Sequence, residues 1–138
     1  MNTIEKSGAD APDAARITDV LYAFARLADE GAPGDLGALL ADDVEWRMAG
    51  TTWSGREETV AGLVRMRELG HAGPGSGNRH LITNQEVHVL GDSATARSYF
   101  LLVSSGAPAV VETVGSYRDE LRRSGEGHWL IARREVTT

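Results

Sequence analysis

The chain has 138 residues, of which 41 % are hydrophobic and 25 % are charged, as is typical of one globular domain with one core. Fourteen basic and 20 acidic side chains give a net charge of −6, which disfavours unspecific binding to nucleic acid or anionic lipid. Because the sequence has no cysteine, disulfides, thiolate catalysis and cysteine-type zinc sites are excluded.

Residues 1–9 are polar and are predicted to form a flexible tail in front of a single domain at residues 10–138. This start lacks the apolar core of a signal peptide, and no apolar run approaches the ~20 residues of a membrane helix. We therefore expect a cytoplasmic protein without a membrane or nucleic-acid partner. The abundance of Ala, Gly, Arg and Asp is typical of a GC-rich bacterial genome.

Two helices are predicted in the first third of the chain. Asp10-Ala-Pro-Asp13 combines a capping side chain, a first-turn proline and an acid near the positive end of the helix dipole. The first helix, of roughly 18 residues, should end at Gly31 and Pro33, and its apolar side chains recur at helical spacing: Ile17, Val20, Leu21, Phe24, Leu27 and Ala28. A second, short helix is predicted at residues 35–41.

A strand and a third helix follow. Alternating polarity predicts the strand at residues 44–48, and residues 51–54 are predicted to turn the chain. Ser54 and Glu57 are spaced as a capping box that opens the third helix, which Gly70 should stop. Residues 70–78 are rich in glycine and are predicted to form a flexible loop at a rim or lid.

From His80 onward the apolar period changes from helical spacing to two. Four strands joined by hairpin turns are predicted at residues 80–90, 94–104, 110–121 and 129–136. Helices segregated to one side of a mainly antiparallel sheet indicate an α+β fold. Because long, twisted strands curl, the three helices should close the concave face around a pocket.

Two long segments carry a family resemblance. Both halves of the chain resemble SnoaL-like proteins of the nuclear transport factor 2 superfamily. In the first half the resemblance is carried by ITDVLYAFARLADEGAPGDLGALLADDVEW and TWSGREETVAGL. In the second half it is carried by RHLITNQEVHVLGDSATARSYFLLV and GSYRDELRRSGEGHWLIARR. The resemblance implies a cone-shaped roll with a curved, mixed, mainly antiparallel sheet. Relatives include dehydratases, isomerases, polyketide cyclases, dioxygenase small subunits and non-catalytic binders, so it fixes no reaction. It also implies a homodimer.

In the branch similar to scytalone dehydratase, an acid near the end of the first helix and a histidine on a strand face the pocket. Asp29 and His80 match these positions. The sequence departs from the pattern at Phe24, where many relatives carry tyrosine, and at Ala32-Pro33, which look inserted. Such dehydratases use a second histidine, for which His71 in the glycine-rich loop is a poor match.

The residues themselves allow a catalytic pair. Asp29 lies beside the apolar stripe of the first helix, and a carboxylate bonded to one nitrogen of His80 would fix its tautomer and stabilise the imidazolium. By period two, His80 should share a face with Ile82, Asn84 and Glu86. The alternatives are a solvated acid at a helix end and a core histidine bonded to backbone.

Five further residues are candidates for binding substrate. Tyr22 lies two helical turns before Asp29 and could therefore line the pocket. The side chains of Trp46, Trp53 and Tyr99 could each supply an apolar wall and one hydrogen-bond donor. Asn84 could orient a substrate oxygen. Ordinary core packing is the alternative for the aromatic residues.

The sequence contains none of the more specific catalytic or phosphate-binding motifs considered. GPGSG lacks the Gly-Lys-Ser/Thr of a phosphate loop, and neither HExxH nor Gly-x-Ser-x-Gly occurs. The sequence thus predicts a dehydratase, isomerase or cyclase that uses neither cofactor nor metal and acts on a small hydrophobic, polyketide-like metabolite through Asp29 and His80. The rival hypothesis is a ligand carrier or subunit of the same fold without catalysis.

Overall fold

The computed structural model describes the backbone of residues 2–138 and the side chains from Pro12 onward. Its elements, in chain order, are α1 (Asn2–Glu30), α2 (Pro33–Gly37), β1 (Leu40–Met48), β2 (Thr51–Ser54), α3 (Arg56–Glu68), β3 (Asn78–Leu90), β4 (Ser93–Ser104), β5 (Val110–Arg123) and β6 (Trp129–Thr137). The tail predicted for residues 1–9 falls on Met1, outside the described residues, and on helical residues whose side chains are not described.

The six strands form one open, curved sheet in the order β2-β1-β6-β5-β4-β3. Strand β1 runs parallel to β6, and every other neighbouring pair is antiparallel. This confirms the α+β prediction of a mixed, mainly antiparallel sheet with three helices in the N-terminal half. The last strand enters the middle of the sheet, so that β6 joins the first hairpin to the three long strands.

The core lies between α1 and the strands at the middle of the sheet. Ile17, Leu21 and Phe24 form the buried stripe of α1 and pack on buried side chains of the sheet, among them Val44 and Ile131. The stripe forms because residues three and four apart lie on one face of a helix, as the spacing in the sequence predicts.

Several element bounds differ from the sequence predictions. Helix α1 begins at Asn2 rather than near Asp10, and α2 ends at Gly37 because the chain already joins the sheet at Leu40. Residues 51–54, predicted as a turn, form β2, whose Trp53 lies opposite Trp46 of β1. The helix cap of α3 is Gly55, and the backbone N–H of Ser54 donates to Glu58 Oε2 at 2.6 Å.

A β-bulge interrupts β3 between Thr83 and Glu86 and has the largest consequence for the site. Asn84 has φ 54°, in the left-handed region that asparagine tolerates better than most residues. The bulge shifts the alternation by one residue, so that Gln85 and Val87 turn inward while Asn84 and Glu86 are exposed. The shared face predicted for His80, Asn84 and Glu86 is therefore corrected.

Among the described residues, no helix is long and apolar enough to span a membrane. A cytoplasmic location stays a prediction from the sequence.

Candidate functional site

A cavity of about 340 Å³ lies between the C-terminal half of α1, α3 and the inner face of the sheet. This volume is near the lower end of the range for small-molecule sites, about 300–1,000 Å³. Most of its wall is apolar, formed by Phe24, Ala25, Ala28, Leu36, Trp46, Met48, Leu63, Met66, Ala72, Phe100, Leu102 and Val136. Its polar or charged lining comes from Arg67, His71, His80, Thr113, Tyr117, Arg134 and Thr138.

Asp29 and His80 are joined by three close polar contacts. The His80 Nδ1 atom lies 2.7 Å from Asp29 Oδ1, and the backbone N–H of His80 donates to Oδ1 at 3.1 Å and to Oδ2 at 3.0 Å. Asp29 is 5 % exposed. Nδ1 of His80 is thereby held as a donor, and Nε2 has no hydrogen-bond partner among the described residues.

The edge of the sheet explains why this contact forms. Strand β3 is the outermost strand, so a backbone N–H that faces away from β4 has no partner within the sheet. The Asp29 carboxylate accepts this N–H at His80, and thereby bonds α1 to the sheet edge. The same geometry directs the His80 side chain to the cavity wall.

Arg67 of α3 holds the end of α1 that carries Asp29. Its guanidinium donates to the carbonyl oxygens of Gly31 at 2.7 Å, Leu27 at 2.8 Å and Ala28 at 3.2 Å. The last turn of α1 contains no basic residue, and an acid near a helix C-terminus is opposed by the helix dipole. Arg67 therefore supplies the positive charge that this helix end lacks.

The opposite wall of the cavity carries a buried ion pair. Arg134 of β6 donates from Nε to Asp119 Oδ1 at 2.7 Å and from Nη2 to Asp119 Oδ2 at 3.0 Å. The two residues are 3 % and 2 % exposed. The Arg134 guanidinium also lies over the Tyr117 ring, 3.8 Å from its centroid, which makes a cation–π contact.

The mouth of the cavity includes part of the loop after α3. His71 and Ala72 line the cavity, and His71 is otherwise exposed. Gly73 is buried against Arg67: a Cβ atom there would lie 2.9 Å from Arg67 Cγ. The loop thus packs on the arginine that holds the end of α1. Among the described residues, no group of three His, Asp or Glu side chains is placed to hold a metal ion.

A sequence profile for the SnoaL-like domain matches residues 9–135. The chain belongs to the SnoaL-like domain family. No curated protein sequence matches it significantly.

Solved structures share the fold of this SnoaL-like domain. An NTF2-like (nuclear transport factor 2-like) protein with a cystatin-like fold from Novosphingobium aromaticivorans is 25 % identical, with a TM-score of 0.81 over 99 % of this chain and 88 % of the other. A protein of unknown function with a cystatin-like fold from Nostoc punctiforme is 23 % identical, with a TM-score of 0.81 over 91 % and 90 % of the two chains. A proposed scytalone dehydratase from N. aromaticivorans is 20 % identical, with a TM-score of 0.73 over 96 % and 88 %.

The SnoaL-like domain brings together only some of the residues singled out in the sequence. Asp29 and His80 meet, and Trp46 lines the cavity. Trp53 is buried behind Trp46, with ring centroids 6.2 Å apart, and packs on Gly62 rather than on the cavity. Trp53 lies there because residues 51–54 form strand β2 and pair with β1. The sequence analysis predicted a turn at these residues.

Three residues predicted to bind substrate lie outside the cavity. Tyr22 is 48 % exposed and borders a surface groove behind Asp29. Asn84 and Tyr99 lie on the outer face of the sheet, where they line a shallow polar depression with Glu86 and Arg97. The bulge turns Asn84 outward, and the alternation of β4 points Phe100 inward and Tyr99 outward.

Sequence reasoning missed the far wall of the SnoaL-like domain. The sequence analysis singled out neither Tyr117 nor Arg134, which line this wall. Tyr117, Asp119 and Leu121 alternate along β5 and are all buried, so an acid at an inward position was a readable signal. Its arginine partner could not be read, because the β5–β6 register that pairs Asp119 with Arg134 is not local.

Proposed function

We propose that this SnoaL-like domain is a cofactor-independent acid/base enzyme of the dehydratase, isomerase or cyclase type, acting on a small hydrophobic, polyketide-like metabolite. The observation that carries the proposal is the placement of His80. Its ring borders a mostly apolar cavity, its Nδ1 is held by a buried carboxylate, and its Nε2 is unbonded among the described residues. A tethered imidazole next to an apolar ligand is suited to moving a proton to or from carbon.

The geometry supports different roles for His80 and Asp29 in the proposed reaction. His80 Nε2 would take the proton, and Asp29 would stabilise the imidazolium that results and keep the ring oriented. General acid/base catalysis contributes about 10²–10⁴-fold, so positioning in the cavity must supply further rate enhancement. Arg67 would position Asp29 by holding the end of α1 that carries it.

Hydrogen–deuterium exchange of a bicyclic ketone tests the proposal. We expect the wild-type protein in D₂O to accelerate exchange of the acidic C1 protons of 2-tetralone, followed by ¹H NMR. Because Nε2 is the proposed base, His80→Gln should reduce the enzymatic exchange rate by about 10²–10⁴-fold. The exposed His88 gives the matched control His88→Gln, which should leave the rate unchanged.

Two results would contradict the catalytic proposal. Exchange that is equally fast in His80→Gln would remove His80 from the reaction. Binding of 2-tetralone without accelerated exchange would favour the rival function, a ligand-binding module, for which the mostly apolar wall is also suited.

We also propose that two copies pair through the outer face of the sheet. Leu81, Leu101 and Val114 lie side by side on β3, β4 and β5, and Val103 and Val111 extend this apolar patch by a further pair. Leu81 is 47 % exposed and Val114 is 62 % exposed. Contiguous exposed apolar residues on a sheet face are typical of an interface.

Sedimentation velocity tests the pairing. The wild-type protein should sediment as a dimer, and Val114→Glu should shift it to the monomer because a charge would be buried at the interface. Leu90→Glu is the matched control, since Leu90 is 82 % exposed at the β3–β4 turn, away from the patch. A wild-type monomer would overturn the pairing.

A further inference from the structure

Arg134 keeps one donor that the protein does not use. Nε and Nη2 are bonded to Asp119, while Nη1 has no hydrogen-bond partner among the described residues. Nη1 is also not among the described side-chain atoms that are sealed from solvent without a partner. Because Arg134 is only 3 % exposed and lines the cavity, the accessible side of Nη1 is the cavity side.

Tyr117 adds a second donor beside it. Burial raises the pKa of Tyr117 to about 12, so its hydroxyl stays protonated at neutral pH. The hydroxyl makes no hydrogen bond with the described residues and is likewise not sealed from solvent. Tyr117 and Arg134 both line the cavity, with the guanidinium over the tyrosine ring. This wall thus offers two hydrogen-bond donors for which the described residues supply no acceptor.

An aromatic surface connects this wall with His80. Phe100 and Tyr117 are stacked, with centroids 4.4 Å apart and ring planes 12° apart, and the His80 ring lies 6.3 Å from Phe100. His80, Phe100, Tyr117 and Arg134 stand on the successive strands β3, β4, β5 and β6. The His80, Phe100 and Tyr117 rings and the Arg134 guanidinium follow one another at 6.3 Å, 4.4 Å and 3.8 Å, so a flat, fused-ring molecule can lie along this row.

The charges favour a neutral ligand. Asp119 pairs with Arg134, and the positive charge of Arg67 offsets that of the Asp29 carboxylate, so these charged groups around the cavity leave no net charge. A carboxylate ligand would add an uncompensated negative charge in a place shielded from water, whereas a carbonyl oxygen accepts hydrogen bonds without adding charge. Negative charge on that oxygen is balanced only when His80 becomes an imidazolium.

We propose that Arg134 Nη1 and the Tyr117 hydroxyl form a binding site for the carbonyl oxygen of a flat, neutral, conjugated ketone, which names the substrate class of the proposed enzyme. The reaction step rests on the proposed function; the binding step does not. His80 Nε2 takes a proton from a carbon conjugated with the carbonyl. The C–H electron pair becomes part of the enolate, and the carbonyl π pair moves to the oxygen, which Arg134 and Tyr117 stabilise.

Matched probes test the binding step without turnover. We expect 2-tetralone to bind wild-type protein about tenfold more tightly than tetralin, its analogue without the carbonyl, by isothermal titration calorimetry. The ¹³C resonance of carbonyl-labelled 2-tetralone should move downfield on binding, because hydrogen bonding polarises the carbonyl. 1-Naphthoate should bind more weakly than 2-tetralone because of its charge.

Variants separate this proposal from the function proposed for the dyad. Replacing both partners of the ion pair, Arg134→Met with Asp119→Leu, avoids an uncompensated buried charge and should reduce the preference for the ketone to about threefold, the part that Tyr117 supplies. Tyr117→Phe keeps the ion pair and should reduce the preference for the ketone about threefold. Asp29→Asn and His80→Gln should slow proton exchange and retain the preference for the ketone.

The following outcomes would overturn the proposal. They are equal binding of 2-tetralone and tetralin to wild-type protein, tighter binding of 1-naphthoate than of 2-tetralone, and an undiminished preference for the ketone in the double variant. If the double variant does not fold, an unchanged preference and an unchanged carbonyl shift in Tyr117→Phe overturn the proposed pair of donors.

Discussion

The Asp29 carboxylate selects one form of the His80 ring. Its Oδ1 atom, 2.7 Å from Nδ1, can only accept a hydrogen bond, so the neutral imidazole carries its proton on Nδ1 and leaves a lone pair on Nε2. This is the form needed to take a proton from a ligand. The hydrogen bond from His80 Nδ1 to Asp29 therefore leaves Nε2 as the atom that accepts the proton in the proposed reaction.

The tautomer is measurable without any ligand. In a long-range ¹H–¹⁵N spectrum recorded where His80 is neutral, we expect the Nδ1-protonated pattern for His80 in the wild-type protein. Asp29→Leu should shift the ring toward the Nε2-protonated tautomer, which is favoured in free imidazole side chains, while the exposed His88 should be unchanged. A wild-type His80 protonated on Nε2 would contradict the assignment.

Thr59 of α3 is a second residue whose surroundings make a sharp prediction. It is fully buried, and its Oγ1 atom has no hydrogen-bond partner in the part of the chain that the structure describes. An unpaired buried hydroxyl costs free energy, and valine has nearly the same shape, so Thr59→Val should raise the free energy of unfolding by about 1 kcal/mol. Urea denaturation measures the change.

The exposed Thr52 of β2 provides the control. Thr52→Val should change the free energy of unfolding by less than about 0.5 kcal/mol, because the hydroxyl there is solvated. A destabilised Thr59→Val protein would show that the Thr59 hydroxyl has a partner after all.

Helices α1 and α3 are coupled through Arg67. Three carbonyl oxygens at the end of α1 accept from its guanidinium, and the loop after α3 packs on its side chain at Gly73. The Arg67 side chain therefore connects the end of α1 that carries Asp29 with the loop at the cavity mouth. Rigid placement of Asp29 depends on a residue 38 positions further along the chain, which no local pattern reveals.

Removing this contact should loosen the end of α1. Arg67→Met keeps most of the side-chain volume but leaves the carbonyl oxygens without their charged donor, so we expect a loss of about 1–3 kcal/mol in the free energy of unfolding. Backbone amides of residues 27–31 should exchange faster with D₂O. The exposed Arg65 of the same helix gives the control Arg65→Met, for which neither quantity should change.

The whole molecule maintains a cavity of about 340 Å³ in a domain of 138 residues. Protein interiors are otherwise close-packed, and unfilled apolar space forfeits contacts between side chains. The cavity lies where the inner face of the open, curved sheet meets α1 and α3 and the side chains do not fill the space between them. Stability and ligand binding should therefore oppose each other at the cavity wall.

A substitution that fills the cavity tests this opposition. Ala28 lines the cavity, and Ala28→Leu should bury extra apolar surface, raise the free energy of unfolding by about 1–2 kcal/mol and weaken binding of 2-tetralone at least tenfold. Ala61, which is exposed on α3, gives the control Ala61→Leu, with both quantities nearly unchanged. Unchanged 2-tetralone binding to Ala28→Leu would place the ligand elsewhere.

Local patterns in the sequence determined the elements and the fold class. Helical spacing from Ile17 to Ala28 and alternation from His80 onward reflect which side chains face the core, and both are set by neighbours a few positions away. The similarity to SnoaL-like proteins then indicated that Asp29 and His80 meet, although 51 positions separate them.

Only the tertiary structure decided which residues surround the cavity. One bulge at Asn84 reversed the facing of half of β3, and insertion of β6 between β1 and β5 brought Arg134 beside Asp119 and Tyr117. Period-two alternation predicts that neighbouring side chains face opposite sides of the sheet. It does not predict where a bulge inserts a residue or which strands pair with each other. Sheet order and register arise from contacts distant in sequence, and these placed the imidazole and the guanidinium on the same cavity.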